Sequence, residues 1–264
     1  MNDLPISLFN EAAYISTSSI DIEKLFSALL ENKDKLPKLV KGLQIGFPDR
    51  SNPMVQGDLS NYKKTLEEAG ITKERMELWM WKIESGSFEH IAALLLLLLP
   101  QLTTVTLHAS RNASRHITPI WFYSVLPVPD PRDPWRTFQM PFLGQVQSLT
   151  ITGLTGVTLE NVAALFALPA LDSLAISRVS DCLQDLPPAA FEPNSSKVSD
   201  LTSKLASIST KSLCRIINAT TKLKRFLCTS EYPLDIMAIN SALGPTAAIS
   251  RYRSKYTISF GLKP

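Results

Sequence analysis

The chain has 264 residues, of which 45% are apolar and 19% charged, and its 27 basic and 24 acidic side chains leave a formal net charge of +3. That is enough apolar chain to bury the core of one long domain or two small ones, and too much for an intrinsically disordered segment. So small a charge balance excludes a dedicated nucleic-acid surface, which needs clustered positive charge; the local exception is Arg251, Arg253 and Lys255.

Residues 1–21 form an N-terminal segment with acidic Asp3 and Glu11 and no basic stretch, so no secretory signal is read there. Ile22, Leu25, Phe26, Leu29 and Leu30 recur at helical spacing, and Val40, Leu43 and Ile45 form a short strand pattern. Pro48, Pro53 and Gly57 mark a loop. Tyr62 to Ala69 reads as a short helix closed by Gly70. Thr72 is placed to cap a helix over Lys73 to Glu84, which Gly86 ends, and Ser87 to cap one over Phe88 to Leu99. The last holds six consecutive leucines, but its nine-residue apolar run stops at Pro100, well short of the ~20 residues a membrane span needs. It is expected to be a helix buried on most sides.

A unit recurs from there on. A helix is followed by a strand of the form apolar-x-x-apolar-x-apolar: Leu102, Val105, Leu107; Val146, Leu149, Ile151; Leu171, Leu174, Ile176; a degraded copy with Val198 and Leu201 ending on Ser203; and Leu223, Phe226, Cys228. The last four copies end at 151, 176, 203 and 228, spacings of 25, 27 and 25 residues, within the roughly 20–29 residues of leucine-rich repeats. Leu159 to Leu168 and Ser212 to Ala219 supply helices between copies, whereas Pro187 and Pro188 spoil Leu183 to Phe191. Each unit is too small to close its own core and completes it against its neighbours. The expected fold is therefore α/β, an irregular leucine-rich-repeat solenoid over residues 22–232, with short parallel strands on the concave face and helices on the convex face. A compact α/β domain is the other arrangement these periods allow. Residues 111–141, rich in Pro and aromatics from Trp121 to Phe138, interrupt the array and are expected to pack over the repeat edge. Residues 233–264 form a divergent tail.

Alternate strand residues face opposite sides. With the apolar positions inward, Thr104, Thr106 and His108, then Ser148, Thr150 and Thr152, then Ser173, Ala175 and Ser177, then Asp200, Thr202 and Lys204 face outward. This small, polar face is the candidate protein-binding surface, the alternative being that Ser and Thr serve β-propensity alone.

No nucleophile elbow, phosphate loop or metal-ligand spacing occurs in the sequence. No catalytic, cofactor or metal residue is expected, and the rival enzyme reading is hydrolase-like, using Ser110 or Ser114 with His108 or His116. His90 is expected on a helix surface. Cys214 lies between Lys211 and Arg215, which could lower its pKa, although a small core residue is the commoner role. With Cys182 and Cys228 it makes an odd, widely spaced set that fits a reducing, cytoplasmic or nuclear compartment, where the sequons at Asn112, Asn194 and Asn218 stay idle.

The run from Phe26 to Ile45, FSALLENKDKLPKLVKGLQI, the run from His90 to Leu107, HIAALLLLLLPQLTTVTL, and the runs Ser195 to Thr202 and Ser209 to Phe226 resemble the repeat region of fungal F-box/leucine-rich-repeat proteins. The likeness covers about Ile22 to Tyr232. It implies a non-catalytic module that recognises another protein as the substrate-selecting part of a cullin-type ubiquitin ligase; the charge balance and the short apolar run leave neither nucleic acid nor membrane as an expected partner. In that family an F-box before the repeats docks the ligase adaptor. Leu4-Pro5 resembles an F-box opening, but three helices do not fit before Ile22, so the docking half is expected to be missing and an adaptor to bind only if an F-box lies upstream. The chain after Tyr232 also departs from the family pattern.

Overall fold

The computed structural model describes residues 6–9, 12–17, 22–47, 59–71, 73–109, 143–153, 157–180, 191–243, 251–254 and 257–261. The chain divides into two compact units, the first ending at Gln145 and the second beginning at Val146. Both are α/β, and each is built on parallel strands with helices between them.

In the first unit, strands β1 (Ile6–Phe9) and β2 (Ala12–Thr17) form an antiparallel hairpin. Helices α1 (Ile22–Glu31) and α2 (Leu36–Leu39) lead to β3 (Val40–Phe47), which lies parallel to β2. Three helices follow: α3 (Ser60–Glu68), α4 (Lys73–Glu84) and α5 (Phe88–Leu98). Strand β4 (Thr104–Ala109) then runs parallel to β3, pairing Leu43 with Val105 and Ile45 with Leu107. The hairpin occupies part of the N-terminal segment to which the sequence assigned no element.

The glycine signals act as expected. Gly70 has φ +73° and Gly86 φ +78°. At the first, the Gly70 N–H donates to the Glu67 carbonyl and the Ile71 N–H to the Leu66 carbonyl; at the second, Gly86 bonds to Ile83 and Ser87 to Lys82. This paired pattern ends a helix through one left-handed residue, which glycine adopts without steric cost.

Helix α5 explains the leucine run. It touches α1, α3, α4 and β3, and every residue from Ile91 to Leu96 is buried. An all-round apolar helix of this kind belongs in a core. Among the described residues, no helix is long and apolar enough to cross a membrane. Phe26 of α1 stacks on Tyr62 of α3, ring centroids 4.5 Å apart, and burial, with Glu23 adding to it, pushes the Tyr62 hydroxyl up to about 12.

The second unit contains β5 (Ser148–Thr152), β6 (Val157–Thr158), α6 (Leu159–Phe166), β7 (Ser173–Ser177), β8 (Val179–Ser180), β9 (Asp200–Ala206), α7 (Thr210–Ala219), β10 (Arg225–Ser230), α8 (Ile236–Leu243), β11 (Arg251–Ser254) and β12 (Thr257–Gly261). Strands β5, β7, β9 and β10 are parallel neighbours in chain order. Their register aligns Leu149, Leu174, Leu201 and Phe226 in one buried row and Ile151, Ile176, Ser203 and Cys228 in the next. Short β6 and β8 pair with each other as a second, parallel ladder.

The spacing seen in the sequence reappears as a repeated backbone hydrogen-bond pattern. The Gln147 carbonyl accepts from the N–H groups of Asp172 and Ser173, both at 2.9 Å. The Asp172 carbonyl accepts from Ser199 and Asp200, and the Ser199 carbonyl from Lys224 and Arg225. In the first unit the Thr103 N–H donates to the Lys41 carbonyl at 2.9 Å, just before β4 pairs with β3. Helix α7 buries Leu213, Ile216 and Ile217, and the first two line a void with Leu201 and Ile176 of the strand rows. Its N-cap Ser209 accepts from the Ser212 N–H, while Asp235 caps α8 by accepting from Met237 and Ala238.

Two features depart from the expected repeat. Strand β9 does not end on Ser203 but runs on to Ala206. Ser203 is buried where its neighbours in the row are Ile176 and Cys228, and it lines a small apolar void with Ile176, Val179, Leu201, Ile208, Leu213 and Ile216. A serine there is too short to fill the space that isoleucine takes in the two preceding copies, at Ile151 and Ile176. In the chain after Tyr232, to which the sequence assigned no element, α8 is followed by the β11–β12 hairpin, and β12 adds antiparallel to β10.

Candidate outer face of the sheets

Side-chain alternation places the candidate residues as expected. Along β5 and β7 exposure follows a strict half-buried, buried, half-buried order. Ser148, Thr150, Thr152, Ser173, Ala175, Ser177, Asp200 and Thr202 are half-buried and Lys204 is exposed. Inward of them, Leu174 is 0% and Ile151 0% exposed. The register lines up Ser148, Ser173, Asp200 and Arg225 across the second unit, then Thr150, Ala175, Thr202 and Leu227 one step along, then Ser177 and Lys204. In the first unit Thr104 and Thr106 are half-buried and His108 exposed; they lie beside Gly42, exposed Gln44 and Gly46.

The electrostatics are uneven. Asp200 forms an ion pair with Arg225, its neighbour across β9 and β10. Arg225 escaped the sequence reading, although the alternation that places Asp200 outward also places Arg225 there, one position before buried Phe226. The Ser177 hydroxyl accepts from the Gly153 N–H at 2.9 Å, so it helps to hold the left-handed turn after β5, where Gly153 has φ +77°. Arg178 takes the equivalent place after β7 with φ 60°, and its N–H donates to the Lys204 carbonyl at 2.8 Å. No sequence signal marks an arginine for that conformation, which favours glycine.

Two readings of single residues are corrected, those of His90 and Ser87. His90 is not on a helix surface: it is 3% exposed, because α5 is enclosed by other helices. Its Nδ1 lies 2.7 Å from the Ser87 hydroxyl, and its ring meets Trp79 edge-on at 5.2 Å between centroids. Burial, and then the charge of Lys82, lower its pKa from 6.5 to about 4. Ser87 is the N-cap residue of α5, but its side chain makes no capping bond to the backbone and engages this ring instead. Cys214 is half-buried, and burial and then Asp235 raise its pKa, the opposite of the lowering offered above as its less common role. Cys228 is buried and pushed up to about 12 by desolvation.

Of the rival hydrolase set, His108 stands exposed on β4, while Ser110, Ser114 and His116 lie outside the described residues, as do Trp121 to Phe138 and Cys182. Among the described residues, no group of three or more His, Cys, Asp or Glu side chains could hold a metal ion. The face thus offers hydroxyls, one ion pair and a few cations, which suit hydrogen bonding to a partner. No protein-family model, curated protein or solved structure matches the chain.

Proposed function

We propose that the chain is an irregular leucine-rich-repeat solenoid that binds another protein on the outer face of its parallel strands and catalyses no reaction. The observation that carries this reading is the two-sidedness of the second unit's sheet. One side is a packed row of leucine, isoleucine and phenylalanine, while the other presents small hydroxyl side chains in register over β5, β7 and β9. Small side chains let a partner's backbone approach closely, and hydroxyls satisfy its amide groups. The recurrence of the same carbonyl-to-paired-amide bond at 25- and 27-residue spacing supports a chain built of stacked units. The resemblance to F-box/leucine-rich-repeat proteins makes the partner a substrate protein presented for ubiquitin transfer.

Replacing a small outward side chain by a long charged one tests the face without touching the core. Thr150→Arg and Ser173→Arg are expected to abolish capture of partner proteins from cell extract while circular dichroism and the unfolding midpoint stay unchanged, since surface substitutions usually shift stability within about 0.5 kcal/mol. Normal capture by both variants overturns the assignment of this face.

A further inference from the structure

We propose that the exposed face of α4 pairs with the same face of a second copy of this chain, the two helices running parallel about a two-fold axis; the inference goes beyond the outer-face reading and does not rest on it. The first observation is an apolar pair left in water. Helix α4 packs on α3 and α5 and turns Trp79 and Ile83 inward, 4% and 0% exposed. On its opposite side Leu78 is 54% and Trp81 59% exposed. Three residues apart on one helix, they are neighbours on its surface. The Lys82 Nζ lies 4.6 Å from the centre of the Trp81 ring, which holds the ammonium at one edge of this pair. Tryptophan is among the residues most often found as energetic anchors of protein interfaces.

The second observation, the charge pattern, decides the occupant. At 3.6 residues per turn, exposed Glu77 and half-buried Lys82 stand about 140° apart around the helix, on opposite edges of the apolar pair. Glu84 shares the Glu77 edge, and Lys73 stands one turn before Glu77. Among the described residues neither Glu77 nor Lys82 forms an ion pair. A face that is acidic along one edge and basic along the other complements itself. In a parallel two-fold pair the acidic edge of each copy meets the basic edge of the other, so Glu77 meets Lys82 of the second copy, and the contact occurs twice. That five-residue offset is the one by which parallel coiled helices exchange charges across their seam. Leu78 and Trp81 then meet their own counterparts between the two charged edges. An antiparallel pair instead sets Glu77 and Glu84 of one copy against those of the other, and like charges repel. Two apolar side chains per copy fall well short of the ~800 Å² that each partner buries in a standard interface. The dimer is therefore weak and forms only as protein concentration rises.

Sedimentation velocity of the full chain tests the pairing. From about 5 to about 500 μM the weight-average mass is expected to rise from that of the monomer toward that of the dimer. Glu77→Lys and Lys82→Glu each turn two attractions into two repulsions, and each is expected to weaken dimerisation about five- to tenfold. An equimolar mixture of these two variants restores unlike charges at both contacts and is expected to dimerise like the natural chain. Trp81→Ser is expected to stay monomeric over the same range. Its circular dichroism and unfolding midpoint should match the natural chain, since the ring is mostly exposed. A natural chain that stays monomeric throughout, dimerisation unchanged by Trp81→Ser, or a mixture that associates no better than either charge variant alone overturns the proposal.

Discussion

Leu174→Ala is expected to cost about 2–5 kcal/mol of stability, the range of buried leucine truncations. Leu174 is 0% exposed and stands in the inner row of β7, flanked by Leu149 on β5 and Leu201 on β9. A side chain held between two ladders has little freedom to collapse into the space an alanine leaves. The loss therefore combines the transfer energy of the missing methyl groups with the energy of a cavity. The row beside it already contains one imperfection, the void at Ser203, so the unit has less packing in reserve. Urea unfolding of the two proteins measures the difference. A change under about 0.5 kcal/mol places Leu174 at the surface and contradicts the inner row.

The second large effect is acid destabilisation through His90. Its folded-state pKa is about 4 against an ordinary 6.5. Above pH 6.5 the ring is neutral in both the folded and the unfolded chain, and its burial carries no proton penalty. Between pH 6.5 and 4 the unfolded chain binds a proton that the folded chain refuses, so stability falls as pH falls. Across the whole window the loss is on the order of 3 kcal/mol at ~1.4 kcal/mol per pH unit. Below pH 4 both states are protonated and the slope from this group vanishes. His90→Gln removes the titration, so its unfolding free energy is expected to lose less over pH 6.5 to 4 than that of the natural protein, even though the substitution disturbs the contacts with Ser87 and Trp79. Parallel slopes for the two proteins contradict the burial of a neutral ring.

How much of this was legible in the sequence varies by element and has physical reasons. The ends of α3 and α4 could be read because glycine is the residue that takes a left-handed φ after a helix, and Gly70 and Gly86 do so. The strand positions could be read because a buried row needs apolar side chains at fixed alternation, and Val105, Leu149, Leu174 and Phe226 obey it. The outward residues followed from the same parity, though Arg225 shows that the rule was applied one strand too few. The burial of His90 could not be read from α5 alone, because α5 packs on α1 and α3 as well as on its chain neighbour α4, and only tertiary packing brings these helices together. The terminal hairpins were missed for a different reason. Thr257-Ile258-Ser259-Phe260 alternates polar and apolar residues at strand period, but nearby Arg251, Arg253 and Lys255 suggested a basic tail. Arg178 in a left-handed turn goes against its own residue preference, so nothing local announces it.

On the proposed reading, a partner protein sits on the outer face of the strands and not on the helices. Photocrosslinking from single sites tests it most directly. A benzoylphenylalanine replacing Ala175 or Thr202 lies on the outer face, and one replacing Lys211 or Asn218 lies on the exposed side of α7. Illumination in cells is expected to yield discrete higher-mass adducts from positions 175 and 202 and none from 211 and 218. Adducts from 211 and 218, with none from 175 and 202, contradict the account.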